Sequence, residues 1–302
     1  MNSEKEFLLK ELVDGFGPSG NEEYIGSIIE NRIKDHVDNI KKDLMGNIIA
    51  YKKGIGKRIM VSTHMDEIGL IITYIEEEGY LRFSNIGDVS INLVEGQRVE
   101  FKNGIVGIIS SETLDRDEEM GMNNLFIDIG ANNKEEAINK VSIGDVANFY
   151  GPLVISNNRG FSKAMDNRIG CYILIELIKR IKEYKNDIYF VFTVQGKLGK
   201  RGGKTSSYSI NPDIGIVIDV TRTGDSPKAK KMEITLGKGP GIKVYDSSII
   251  AHPGVKNLFI SQAEQYKIPY QLEVLQDGGT EAGTIHLTRD GIPSGVISIP
   301  TR

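Results

Sequence analysis

The sequence predicts an α/β protein in which a main domain, built on one parallel-containing sheet with flanking helices, is interrupted by a β-rich insertion. Three observations lead there. Amphipathic helices alternate with short apolar strands before about Thr73 and again after about Ser162. The stretch between is short-stranded and rich in turns. Two apolar runs, DIYFVFTVQ and IGIVIDV, read as strands buried on both faces. The division expected is residues 1–72 with 163–302 for the main domain and 73–162 for the insertion.

Taken in order, apolar residues recur at helical spacing from Ser3 to Phe16, at Phe7, Leu8, Leu12 and Val13, until GFGPSG stops the pattern. NEEYIGSIIENRIKDHV follows with acids in its first turn, as suits a helix N-terminus. NIIAYKK, RIMVSTH, LIITYIE and YLRFSNI read as strands. Inside the insertion VEGQRVEFKNGIVGIISS and LFIDIGA are β-rich, KEEAINKV is a short helix, and VSIGDVANFY closes the section. NRIGCYILIELIKRIKEY is then an amphipathic helix leading into DIYFVFTVQ. Strands and helices alternate again through IGIVIDV, NLFISQAEQYKI and GVISIP. The basic run KAKK near Lys228 reads as a solvated loop.

The 302 residues carry 37 basic and 41 acidic side chains, a net charge of -4. That balance gives no electrostatic reason to expect nucleic acid or an anionic membrane as partner. No apolar run approaches a membrane span, and the charged N-terminal stretch lacks the pattern of a secretory signal. The single cysteine, Cys171, excludes an internal disulfide and fits a reducing cytoplasm; its apolar helical context reads as a buried structural thiol.

Three motifs carry candidate chemistry. In THMDEIG, His64 and Asp66 stand two apart at the mouth of a strand and face one side. That suits a metal-binding imidazole whose tautomer a carboxylate fixes, but from this motif alone a His–Asp hydrogen bond in a loop is the simpler reading. SKAMDNRIG sets Asp166 just before a helix, as an N-cap or as a carboxylate bridging cations. IGIVIDVT ends its strand in Asp219, a place for a metal ligand or for a turn-capping acid. One histidine and two aspartates suit zinc, cobalt or manganese, provided that their strands are neighbours.

The ordered series GPSGNE, STHMDEIG, VEGQRV, FIDIGA, SIGD, AMDNRIGC, FTVQ, IDVT, GKGPGI, GGTEAGTIHL and ISIPTR spans nearly the whole chain and is similar to the tetrahedral metallo-aminopeptidases. Members of that family are also named glutamyl or deblocking aminopeptidases, and sometimes endoglucanase M or cellulase. The resemblance implies a zinc-peptidase-like three-layer α/β domain with a mixed sheet, an inserted barrel-like β domain and a two-metal site. It also implies peptides or small molecules as ligands, and cytoplasmic homo-oligomers such as dodecamers. On the family pattern His64, Asp166 and Asp219 match the ligands of one metal, with Asp166 the bridge to a second, and Asp66 matches the residue that orients His64. Gly279, Thr280 and Glu281 fall in a loop resembling the family's substrate side. Glu281 stands where many relatives have aspartate and is expected to reach outward. His252 and His286 match no ligand and read as packing or surface residues.

The segment after FTVQ departs from the pattern. The family carries two glutamates there, first the general base and then a ligand of the second metal; this chain has Gly196 and Lys197. The family's other histidine ligand follows the segment matching ISIPTR, where this sequence stops at Arg302. Glycine cannot take a proton, and a positioned base contributes ~10²–10⁴-fold to rate. Lysine repels a cation, and paired cations ~3.5–4 Å apart are what stabilise both oxygens in two-metal hydrolysis. The expectation is one divalent ion on His64, Asp166 and Asp219, or a metal-free pocket in which the Lys197 ammonium pairs with Asp166 in place of the second metal. The chain then reads as a non-catalytic or weakly active binding or assembly homologue, the alternative being an aminopeptidase that runs on the remaining site. Nothing resembles the flanking acid pair of a glycosidase.

Overall fold

The computed structural model describes residues 3–113 and 119–302; residues 1–2, at the charged N-terminal stretch, and 114–118, inside the expected insertion, lie outside the described residues. Helices α1 (Ser3–Asp14) and α2 (Glu23–Ile33) come first, then strands β1 (Asn39–Lys42), β2 (Ile48–Lys52) and β3 (Arg58–His64). Six strands follow that belong to a different sheet: β4 (Gly69–Ile75), β5 (Leu81–Ile86), β6 (Arg98–Phe101), β7 (Val106–Ser111), β8 (Leu125–Asp128) and β9 (Val146–Phe149). They close a barrel in the order β4-β5-β8-β7-β6-β9, with α3 (Lys134–Ile138) between β8 and β9 in the chain. A hairpin, β10 (Val154–Ser156) and β11 (Arg159–Phe161), leads into α4 (Met165–Arg180) and back to the first sheet.

The return adds β12 (Asp187–Thr193), α5 (Arg201–Ile210), β13 (Ile214–Arg222), β14 (Gly241–Asp246), β15 (Ile249–Ile250), α6 (Pro253–Gln265), β16 (Gln271–Val274), α7 (Ala282–Ile285) and β17 (Ser294–Thr301). The sheet order is β1-β2-β12-β3-β13-β17-β14-β15, with β16 on β14. The central four strands are parallel and the flanks are partly antiparallel, so the sheet is mixed as expected.

Alternation along each strand feeds two apolar layers. Ile188, Phe190 and Phe192 pack with Val61 and Ile218 against Leu12, Ile29 and Leu174 of α1, α2 and α4. Val191, Met60 and Val217 face the other way, toward Ile210 of α5 and Ala282 and Ile285 of α7. Both faces of the central strands are therefore buried, which is why their sequences read as continuous apolar runs. The barrel has its own core of Leu70, Ile72, Phe83, Val99, Ile109 and Ile127.

The barrel and the main sheet meet at a buried ionic cluster. The Lys163 ammonium donates to both oxygens of Glu67 at 2.7 and 2.8 Å, and Arg168 Nη2 reaches the same carboxylate at 3.3 Å. Arg168 is fully buried and donates also to the carbonyls of Leu12 and Gly17, which ties α4 to the end of α1. This cluster holds Glu67 one residue beyond Asp66.

Candidate metal and ligand site

Parallel strands β12, β3 and β13 lie side by side, and their carboxyl ends carry Thr193, His64 and Asp219. Thr193 is paired in register with His64. A crevice at this edge of a parallel sheet is where such folds place ligands.

His64 is buried, with its Nδ1 3.1 Å from Asp66 Oδ1. Its Nε2 lies 3.4 Å from Asp166 Oδ1 and 3.6 Å from Asp219 Oδ1. Tetrahedral zinc with bonds of about 2.0–2.1 Å has ligand-to-ligand edges of roughly 3.4 Å. The two separations from Nε2 fit that edge, and one donor atom from each of the three residues lies within 4.8 Å of the others. The trio therefore fits one divalent ion. Burial works against charge on the imidazole, but the carboxylates of Asp166, Asp219 and Asp66 outweigh it and hold the His64 pKa well above the usual histidine value.

Asp166 reaches this position by an irregular start to α4. It has φ −91° and ψ 102°, outside the helical region, and a cis peptide joins it to Asn167. The capping alternative for Asp166 does not hold: among the described residues no helix amide donates to its carboxylate, whose Oδ1 faces His64 and whose Oδ2 takes the Lys197 ammonium. Asn167 secures the turn instead, donating to Thr63 Oγ1 and to the Ile218 carbonyl at 2.9 Å each. One amide side chain thus fixes Asp166 against both β3 and β13.

Asp66 also holds the neighbouring loop. Its Oδ1 accepts from the Gly196 amide and its Oδ2 from the Lys197 amide, both at 2.8 Å, and the Ser19 hydroxyl also donates to Oδ2. The loop where the sequence departs is thereby fastened to His64. A Cβ on Gly196 would lie 2.5 Å from His64 Cβ and 2.9 Å from Asp66 Oδ1, so no side chain fits there without moving the histidine. Lys197 turns inward, its Nζ 2.5 Å from Asp166 Oδ2. Burial opposes the ammonium, but Asp166 and Asp219 hold the Lys197 pKa above its ordinary value. The Asp166 carboxyl is driven the other way: burial raises it, and contacts with His64 and Lys197 lower it further than burial can offset.

Lys197, Lys200, Asp88 and Glu281 line the same cavity as the trio, with a volume of about 340 Å³. Thr280 donates from its amide to Asp246 Oδ2 at 3.2 Å, which anchors the loop bearing Gly279 and Glu281. Glu281 does not reach outward. It is 1% exposed, its Oε1 accepts from the Thr193 hydroxyl, and burial pushes its carboxyl up to about 7. The extra methylene beyond aspartate is taken up inside, beneath the strand ends. His252 accepts from the Gly254 amide at the start of α6, and His286 Nδ1 sits 2.9 Å from the Ala282 carbonyl, so neither joins the trio. Cys171 is fully buried, with its thiol pushed up to about 12 by burial, as a structural thiol should be.

Sequence reasoning missed Thr193 and Asp88. Thr193 had a signal, being the polar residue that closes the apolar strand DIYFVFT. Asp88 had none, since it comes from the barrel.

Residues 46–302 match the model of the family described as M42 glutamyl aminopeptidase. A protein of Acetivibrio thermocellus, provisionally named an aminopeptidase, is 52% identical over 98% of this chain and 90% of its own length. The solved structure of an aminopeptidase from the archaeon Desulfurococcus kamchatkensis superposes with a TM-score of 0.94 at 38% identity, covering 99% of this chain and 87% of that one. The TET1 peptidase of Pyrococcus horikoshii, described as able to assemble into a tetrahedron or a large octahedral shell, superposes with a TM-score of 0.88 at 33% identity over 98% and 91% of the two chains. By sequence and by fold, this chain belongs to the M42 glutamyl aminopeptidase family.

Proposed function

We propose that this chain is a family member with one divalent-metal position, a lysine in place of the second cation, and little or no peptidase turnover, acting as a binding or assembly protein. A single observation carries the reading: the Lys197 ammonium sits 2.5 Å from Asp166, the carboxylate expected to bridge two metals. The closed space at Gly196, where a family member carries its base, supports it. An ion of the zinc, cobalt or manganese class would be held by His64, Asp166 and Asp219 and would supply Lewis-acid polarisation. Asp66 then keeps the imidazole tautomer that leaves Nε2 as the donor. No carboxylate at position 196 takes up a proton.

The retained donor trio favours a second reading, an aminopeptidase working on that one site. Hydrolysis of aminoacyl nitroanilides, with zinc or cobalt added, separates the two. Turnover near that of an ordinary aminopeptidase would favour the second and remove the first. The assembly reading extends to the quaternary state: by likeness to the tetrahedral relative, we infer a homo-oligomer of the dodecamer class in the cytoplasm. A monomer mass by native mass spectrometry would refute that. Among the described residues no helix is long and apolar enough to cross a membrane.

A further inference from the structure

The two chain segments that carry His64 and Asp166 are tied together by a charged link that touches no member of the metal trio. Glu67 lies three residues beyond His64, while Lys163 and Arg168 flank Asp166, three residues before it and two after. Their side chains are 2%, 5% and 0% exposed, and both cations converge on the Glu67 carboxylate. The Lys163 ammonium also donates to the Gly15 carbonyl at 3.1 Å. Asn148, on β9 of the barrel, meets the same ammonium. Turned to satisfy both neighbours, its amide oxygen accepts from Lys163 at 2.6 Å and its nitrogen donates to the Glu100 carbonyl at 3.0 Å. The Glu67 backbone is held as well, its amide donating to the Gly17 carbonyl at 3.1 Å and its carbonyl accepting from the Ser19 amide at 3.2 Å. One junction thus joins the end of β3, the start of α4, the loop after α1 and a barrel strand.

A buried acid shared by two cations is a poor route to stability, since well-packed apolar residues of similar size hold a fold as well or better. What a satisfied buried polar network supplies is fixed geometry. The metal trio needs that geometry. Asp166 sits on non-helical backbone, which the hydrogen bonds of α4 alone do not hold. Asn167 fastens it to β3 and β13; the ionic cluster fastens it to the crossing that carries Asp66, whose carboxylate orients His64. We propose that Glu67, Lys163 and Arg168 are positioning residues for the metal site, setting Asp66 and Asp166 relative to His64 without contacting the ion. The inference rests on the reading of His64, Asp166 and Asp219 as a metal site.

Lys52 supplies the control. It is about as buried as Lys163 and grips the far end of the same helix, donating to the carbonyls of Ile178 and Ile181 at 2.7 and 2.6 Å. Lys52→Met, Lys163→Met and the charge-free pair Glu67→Gln with Lys163→Met are compared as full chains. The measurements are urea unfolding, cobalt titration against a chelating dye, and nuclear magnetic resonance of the His64 ring in the metal-free chain. Lys52→Met should lower the urea midpoint yet keep wild-type cobalt affinity and His64 shifts. Lys163→Met and the pair should bind cobalt about tenfold more weakly, the low end for groups that orient metal ligands, and should move the His64 signals. Wild-type affinity or unmoved His64 signals in a folded variant of the cluster would overturn the proposal. Equal losses in Lys52→Met would also overturn it, tracing the effect to stability alone. If neither cluster variant folds, the cluster serves the fold rather than the site, and the proposal falls. A wild-type chain that binds no cobalt removes the metal reading alone; the His64 shifts still decide whether the cluster positions these side chains.

Discussion

Replacing Lys197 with methionine removes one positive charge and keeps the length of the side chain. In the present structure any ion on His64, Asp166 and Asp219 must share Asp166 with an ammonium 2.5 Å away. Taking ~4 Å between the ammonium and a dication, the repulsion is about 8 kcal/mol at an effective dielectric of ~20 and about 2 kcal/mol at ~80. The lysine side chain is 22% exposed and that of Asp166 44%, so solvent screening places the effect near the lower end. An affinity gain of roughly 30- to 150-fold, or about 2–3 kcal/mol, is expected for zinc or cobalt. Competition titration against a chelating dye gives the affinity, and cobalt absorption reports the coordination of the occupied site. The melting temperature should move by only a few degrees, because a partly exposed ion pair contributes about 1 kcal/mol or less. Equal metal affinity in the two proteins, with the fold intact by circular dichroism, would refute the claim that this lysine stands in for a cation.

Further outcomes follow from the same geometry. Gly196→Glu with Lys197→Glu should not restore peptidase turnover, because the new Cβ displaces His64; Gly196→Ala alone should cost about 1–3 kcal/mol in urea unfolding. Glu281 has its carboxyl raised from 4.5 to about 7, so the native state binds the extra proton between those values and stability is lost as pH rises through them. Glu281→Gln should remove up to about 3 kcal/mol of that decline, and identical pH profiles for the two proteins would count against the burial argument. Glu67→Gln should destabilise by about 3–5 kcal/mol, since it leaves the Lys163 and Arg168 charges buried without their acid.

What was legible depended on whether a residue's partners are local. β12 and β13 announce themselves because burial on both faces leaves them continuously apolar. GLIITYI gave no sign of which sheet it joins: it pairs with β5 and β9 in the barrel, although it follows β3 by only a short loop. His64, Asp166 and Asp219 were visible as candidates, but their meeting depends on the order β12-β3-β13, a topology that no local pattern encodes. Least legible were buried charges. Lys243 is fully buried with its ammonium on Glu273, while Asp246 accepts from the Thr280 amide that anchors the cavity loop. A lysine in a strand reads as a solvent-facing residue until its acids are known to lie three residues on and on a neighbouring parallel strand.

Charge balance links Lys197 to the proton on His64. Three carboxylates, Asp66, Asp166 and Asp219, surround the imidazole. Without a metal, the imidazolium and the Lys197 ammonium together leave one negative charge uncompensated. With a dication bound, the imidazole must be neutral to donate Nε2, and the ion with Lys197 then balances all three acids. Metal entry therefore expels the His64 proton, which those acids hold tightly, and affinity grows by about tenfold per pH unit below the His64 pKa. Lys197 acts in both directions at once. Its charge repels the ion, and it also lowers the His64 pKa, which eases loss of the competing proton. Removing it frees Asp166 for the metal but strengthens the grip of the acids on the proton. The affinity gain in Lys197→Met should accordingly be smallest at low pH and reach its full size only once the imidazole has deprotonated in both proteins. A lysine that merely filled space beside Asp166 would give no such dependence on pH.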